Sequence, residues 1–242
     1  MAHMGYGYGS ECHLLRWMGR HRRAFDSAVR QALGKSSGAV DWLDFHFAPG
    51  RDWPDAEWKG LDFITEDVVR DDWRTWWPQG RGIHNWDAVG WWGNPANREV
   101  VLMEAKAHPG ELGSPWGATA DDSRERIKRS LTKTAASLGI TSIDRWMNDY
   151  YQLANRLAVV HFLRKHGYHP HLLLVYFVGD LIGAGRKPPQ TVDGWKAPLA
   201  DQKEKMGLPA THALSRFVHE LYLPVSAGKA WLRPDSSTEI VL

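Results

Sequence analysis

The sequence predicts an α/β protein in which a mixed central β-sheet is flanked by helices. Three observations predict it. Residues 84–93 and 99–107 read as two strands around the turn Asn94-Pro95-Ala96-Asn97, a hairpin. Residues 172–178, Leu-Leu-Leu-Val-Tyr-Phe-Val, form an unbroken apolar run, the pattern of a central strand covered on both faces. Helical periodicity precedes the hairpin and fills the stretch between it and that run, which gives layers of helix, sheet and helix.

Taken in order, residues 1–9 (Met-Ala-His-Met-Gly-Tyr-Gly-Tyr-Gly) read as a vector-derived or disordered leader outside the fold. Ser10 can cap a helix running to Gly34, because Leu14, Met18, His21, Phe25, Ala28 and Ala32 recur at spacings of four and three. Its outer face carries Arg16, Arg20, Arg23 and Arg30. Between residues 35 and 82 the pattern is weaker: a strand at 40–47, a loop rich in Pro, Gly and Asp through Gly60, and a helix at 65–77. After the hairpin and a Gly/Pro loop come a charged helix at 121–138, closed by Gly139, and a helix at 143–166, closed by Gly167. The latter is apolar almost all round, so it is expected to pack on both sides. Helices at 194–206 and 212–221 and an edge strand at 230–232 complete a single domain, 10–242, with a helical C-terminal extension.

With 242 residues, 43% of them apolar and 24% charged, the chain can bury a substantial core. No apolar run approaches the roughly 20 residues a membrane span needs, so no membrane partner is expected. The single cysteine, Cys12, cannot form an internal disulfide, which is compatible with a reducing cytoplasm. A net charge of +2 does not by itself announce a nucleic-acid partner. The basic residues nevertheless cluster at 16–30 and 124–133, and Arg124, Arg126, Lys128, Arg129 and Lys133 are candidate phosphate contacts. Of fourteen tryptophans, six fall between Trp73 and Trp92; they read as core or as a platform on which bases stack.

The chemistry concentrates on the hairpin. Alternation along Val100-Val101-Leu102-Met103-Glu104-Ala105-Lys106 puts Glu104 and Lys106 on the face of Val100 and Leu102, which should otherwise be buried. A hairpin centred between Pro95 and Ala96 sets Glu104 opposite Asp87. Two carboxylates so placed repel unless something positive sits between them. Asp87 and Glu104 offer the hard oxygen ligands that Mg²⁺ or Mn²⁺ prefers, and the Ala105 carbonyl could add a third. Lys106 would then orient a water or stabilise charge developing on a phosphoryl group.

Asp87, sixteen intervening residues and then Glu104-Ala105-Lys106 at the end of an apolar strand resemble the PD-(D/E)xK nuclease superfamily, the restriction-endonuclease-like fold. The resemblance spans residues 11–180; it departs from the family pattern in having Trp86 where a proline is usual. It implies metal-dependent cleavage of nucleic-acid phosphodiesters, with DNA the expected substrate, catalysed by Asp87, Glu104 and Lys106. It further implies that Glu11 on the first helix joins the metal shell and that Gln152 on a later helix joins the catalytic group. Glu11 could equally be a first-turn residue favoured by the helix dipole, and Gln152 an ordinary buried amide. Two centres would be needed to cut a duplex, so a homodimer is compatible with this reading. A non-cleaving nucleic-acid-binding subunit of the same fold and a Trp-rich protein-interaction domain are the alternatives. His166, His169 and His171 have a spacing that could hold zinc, or are solvated loop histidines.

Overall fold

A computed structural model describes residues 9–43, 57–80, 83–181 and 185–225. The first helix, expected to be continuous, has three parts. Helix α1 (Ser10–Leu15) passes into a π-helical turn, Arg16–Arg20, and after His21 the chain re-enters α2 (Arg22–Ala32). The wider turn re-aims the apolar stripe, so that Leu14, Trp17 and Met18 before it and Phe25, Ala28 and Val29 after it are all buried.

The main sheet has five strands in the order β1-β4-β5-β6-β7. β1 (Val40–Trp42), β4 (Ala88–Trp92) and β5 (Glu99–Lys106) are antiparallel neighbours, while β6 (His169–Val178) and β7 (Val218–Pro224) add in parallel. A second, two-stranded sheet pairs β2 (Trp58–Lys59) with β3 (Asn85–Trp86). The even-numbered residues Val100, Leu102, Leu172, Leu174 and Tyr176 join one core, with α3 (Asp67–Trp76), α4 (Asp121–Ser137), α6 (Tyr151–Lys165) and α7 (Asp193–Lys205). Their odd-numbered neighbours Val101, Met103, Ala105, Leu173 and Val175 join the other, under α1 and α2. The expected α/β sandwich with a mixed sheet is the fold.

Four further elements differ from the sequence reading. The strand expected at 84–93 bends at Asp87, where β3 leaves the main sheet to pair with β2. The helix expected at 143–166 is broken into α5 (Asp144–Asn148) and α6. There the Ser114 carbonyl accepts from Tyr151 N–H, and Ser114 N–H donates to Asp149 O, so the loop takes the backbone bonds a continuous helix would need. The helix expected at 212–221 is a short 3₁₀ turn (Ser215–Phe217) followed by β7. Alternation decides it: Leu221 and Leu223 face one core while Val218 and Tyr222 pack on the other. Of the strand expected at 40–47 only Val40–Trp42 is formed among the described residues; 44–47 and the strand expected at 230–232 lie outside them.

Trp73, Trp77, Trp86 and Trp91 are buried, so this part of the tryptophan cluster is core. Among the described residues no helix is long and apolar enough to cross a membrane.

Candidate active site

The hairpin has the register its turn predicts. Ala88 faces Met103 and Val89 faces Leu102, which carries Asp87 opposite Glu104. Asn94 shapes the turn by accepting from Ala96 N–H through its side chain, 2.9 Å. At Asp87 the pairing ends: its N–H donates to Met103 O at 3.2 Å, and its Oδ2 accepts from Ala105 N–H at 2.6 Å. Because N–H and C=O of one strand residue point the same way, the Ala105 carbonyl also faces the gap that β3 leaves. The Glu111 carboxylate closes the same edge, accepting from Ala107 N–H at 3.1 Å with His108 Nε2 3.1 Å from its other oxygen.

Glu104 is buried and surrounded by donors. Lys106 Nζ and Gln152 Nε2 (2.6 Å) reach Oε1, and the Arg156 fork reaches Oε2 through Nε (2.8 Å) and Nη2 (2.5 Å). Four donors match the four lone-pair sites of a carboxylate. Arg156 is fixed in turn: it donates to Asn155 Oδ1 at 2.9 Å and to Asn85 O, and lies 4.4 Å over the Trp86 ring. The helix break places Gln152 here. With α6 beginning at Tyr151 and Ser114 Oγ accepting from Gln152 N–H at 2.8 Å, the amide stands in the first turn, aimed at β5.

The two opposed carboxyls are electrostatically unlike. Burial, then the nearby Glu104 charge, pushes Asp87 up to about 7 against the opposing Ala105 hydrogen bond, Lys106 and Arg156. Burial acts upward on Glu104 as well, but Arg156 and Lys106 together outweigh it and hold this carboxyl below its usual range. Glu104, Lys106, Gln152, Arg156, Tyr176 and Gln202 line a cavity of about 20 Å³, room for one water-sized sphere. A separate cleft of about 440 Å³ is lined by Trp77, Gly117, Ala118, Ser123 and Tyr151, the last being the chain neighbour of Gln152.

Asp87, Glu104, Ala105, Lys106 and Gln152 are thus brought together. Glu11 is exposed on α1, which packs on the opposite face of the sheet, and it is not among the charges that act most on Asp87 or Glu104. The basic residues of α4 divide. Arg126 and Arg129 donate to the Arg74 and Thr75 carbonyls at the end of α3, at 2.7 and 3.0 Å, and Lys133 lies over Trp76. Arg124, stacked on Trp116, and Lys128 line a separate exposed cavity with Asp121 and Glu125. Arg156 and Glu111 are additions to the sequence reading. Arg156 had a signal, a lone guanidinium four residues after Gln152 and so on its helix face; Glu111, in a Gly/Pro loop, had none.

Asp87, whose proton affinity is raised first by burial and then by the Glu104 charge, and the Ala105 carbonyl offer hard oxygen ligands toward one gap. The Glu104 lone pairs are taken by Lys106, Gln152 and Arg156, so a place for Glu104 in a metal shell requires the Lys106 ammonium, on its flexible stem, to yield.

Compared with protein-family models, curated proteins and solved structures, the chain matches none.

Proposed function

We propose that the chain is a Mg²⁺- or Mn²⁺-dependent phosphodiesterase that hydrolyses nucleic acid, with DNA as substrate. The observation that carries this reading is the opposition of Asp87 and Glu104 where β4 parts from β3, with Lys106 next to Glu104 on the same strand face. Asp87, Glu104 and the Ala105 carbonyl would hold the cation. Once bound, it would polarise a phosphoryl oxygen and make an attacking water more acidic. Lys106 supplies the positive charge that stabilises the phosphorane-like charge build-up. Gln152 and Arg156 keep the Glu104 carboxylate oriented and ionised. Arg124 and Lys128 are the α4 cations suited to backbone phosphates, since Arg126 and Arg129 are engaged with α3. A site of this kind acts within the cytoplasm in our reading, and a homodimer would place two centres on one duplex.

One observation favours a second reading. The fork of Arg156 saturates Glu104 Oε2 and the remaining cavity is water-sized, which suits a nucleic-acid-binding subunit that no longer cleaves. The two are separated by incubating the protein with plasmid, linear duplex and single strands under Mg²⁺, Mn²⁺ or chelator. Cleavage by the unmodified protein, lost in Asp87→Asn together with metal-dependent thermal stabilisation, is expected. Lys106→Ala should lose cleavage yet keep or tighten metal binding, because both carboxylates remain. Salt-dependent binding without cleavage under any condition would establish the second reading, and neither binding nor cleavage would overturn both.

A further inference from the structure

A second group of metal-ligating side chains lies at the opposite end of β5 and on the opposite face of the sheet. Glu99 starts β5 and is the register partner of His169, which starts β6. With His171 they share the face of Val101 and Leu173, and His219 on β7 shares it with Leu221. One ligand atom each from Glu99, His169 and His171 lie within 4.8 Å of one another. Ligand atoms around a tetrahedral zinc stand roughly 3.3 Å apart, so small side-chain rotations would close the set.

The cluster is already knit together: His171 Nδ1 lies 3.0 Å from His219 Nε2, and His171 Nε2 lies 2.7 Å from Glu99 Oε1. Lys35, just beyond α2, places its ammonium on the same Glu99 oxygen, so a positive charge already sits where the carboxylate meets the imidazoles.

We propose that Glu99, His169 and His171 form a zinc site, with His219 orienting His171 from behind and Lys35 standing in the place of the ion in the metal-free protein. Two imidazoles and one carboxylate suit zinc and discriminate against Mg²⁺, which favours all-oxygen shells. His169 is exposed and His171 buried, so the ion would be held from the sheet side and open to solvent on the other. This site is independent of the proposed nuclease centre. Glu104 lies five positions along β5 from Glu99, roughly 16 Å, and the two side chains emerge on opposite faces.

The test is titration of chelator-stripped protein with Zn²⁺ against a chromophoric competitor, with Co²⁺ substitution to report coordination by its visible spectrum. One equivalent per chain and a four-coordinate Co²⁺ spectrum are expected, undisturbed by excess Mg²⁺. His169→Ala, at an exposed position that should leave folding intact, and Glu99→Gln should each weaken binding by about a hundredfold or more. His219→Gln, which loses only the orienting contact, should weaken it about tenfold. Lys35→Gln should tighten it several-fold by removing the competitor, and Asp87→Asn should leave it unchanged. Stoichiometric binding that survives both His169→Ala and Glu99→Gln, loss of binding in Asp87→Asn, or no binding by the unmodified chain would each overturn the proposal.

Discussion

At the scale of single residues, Asp87 and Glu104 face each other across one hairpin yet respond to pH in opposite senses. Asp87 has its proton affinity raised in the folded state, so without metal its ionisation opposes folding. That penalty is absent below the unfolded carboxyl range, near 4, and is complete above about 7. Asp87→Asn should therefore stabilise the metal-free protein at pH 8 by an amount on the order of 1–3 kcal/mol, and the gain should vanish as pH falls toward about 4. Urea unfolding at the two pH values checks this; equal stability at pH 8 would mean that the Asp87 charge is already compensated. For Glu104 the sign reverses. Its depressed proton affinity gives stability that is present above the unfolded carboxyl range and lost as pH falls through the folded value. Glu104→Gln should cost roughly 3–5 kcal/mol at pH 7, because it strands the buried Arg156 beside a neutral amide. Asp87, Glu104 and Lys106 were legible from strand parity and turn position, while Gln152 was pointed to only by the family resemblance. That Glu104 is bound by a guanidinium was not, since Arg156 lies fifty-two residues away in the chain.

At the scale of elements, the hairpin was the most legible part because its turn sets the register and its alternation sets the faces. Gly90 on β4 shows how tightly β1 seats against it: an added Cβ would lie 2.3 Å from Val40 Cγ1 and 2.9 Å from the Asp41 carbonyl. Backbone cannot swing aside as a side chain can, so Gly90→Ala should destabilise by roughly 1–3 kcal/mol or more, read as a lower urea midpoint. Helix α4 invites a different test. Arg124→Ala with Lys128→Ala should flatten log affinity against log salt for duplex DNA by roughly 0.9 for each phosphate no longer neutralised. Arg126→Ala with Arg129→Ala should instead lower stability by about 1 kcal/mol per bond, since these residues bind the carbonyls that end α3. An identical salt slope in the first pair would remove α4 from the proposed interface. Their clustering in sequence marked all five cations alike because spacing along one helix carries no information about what another helix presents to it.

At the scale of the whole molecule, β6 is enclosed on both faces and both edges, with β5 on one side and β7 on the other. A chain ending at Phe217 would lack β7 and leave the apolar run of β6 as an open edge. It should aggregate or fail to fold, whereas an ordered monomer by size exclusion and circular dichroism would show that β7 is dispensable. The fold class, the hairpin with its register, the central strand and the face shared by Glu104 and Lys106 were determined by the sequence alone. Each rests on local periodicity or on a turn a few residues long, where neighbours in the chain are neighbours in space. Only the tertiary structure decided that β4 breaks at Asp87, that the loop at Ser114 interrupts the long helix to aim Gln152, and that β7 replaces an expected helix. It alone gathered Arg156 onto Glu104 at one end of β5, and Lys35, Glu99, His171 and His219 at the other. These are competitions for backbone hydrogen bonds and buried charge among segments far apart in the chain, and no local pattern records which partner wins.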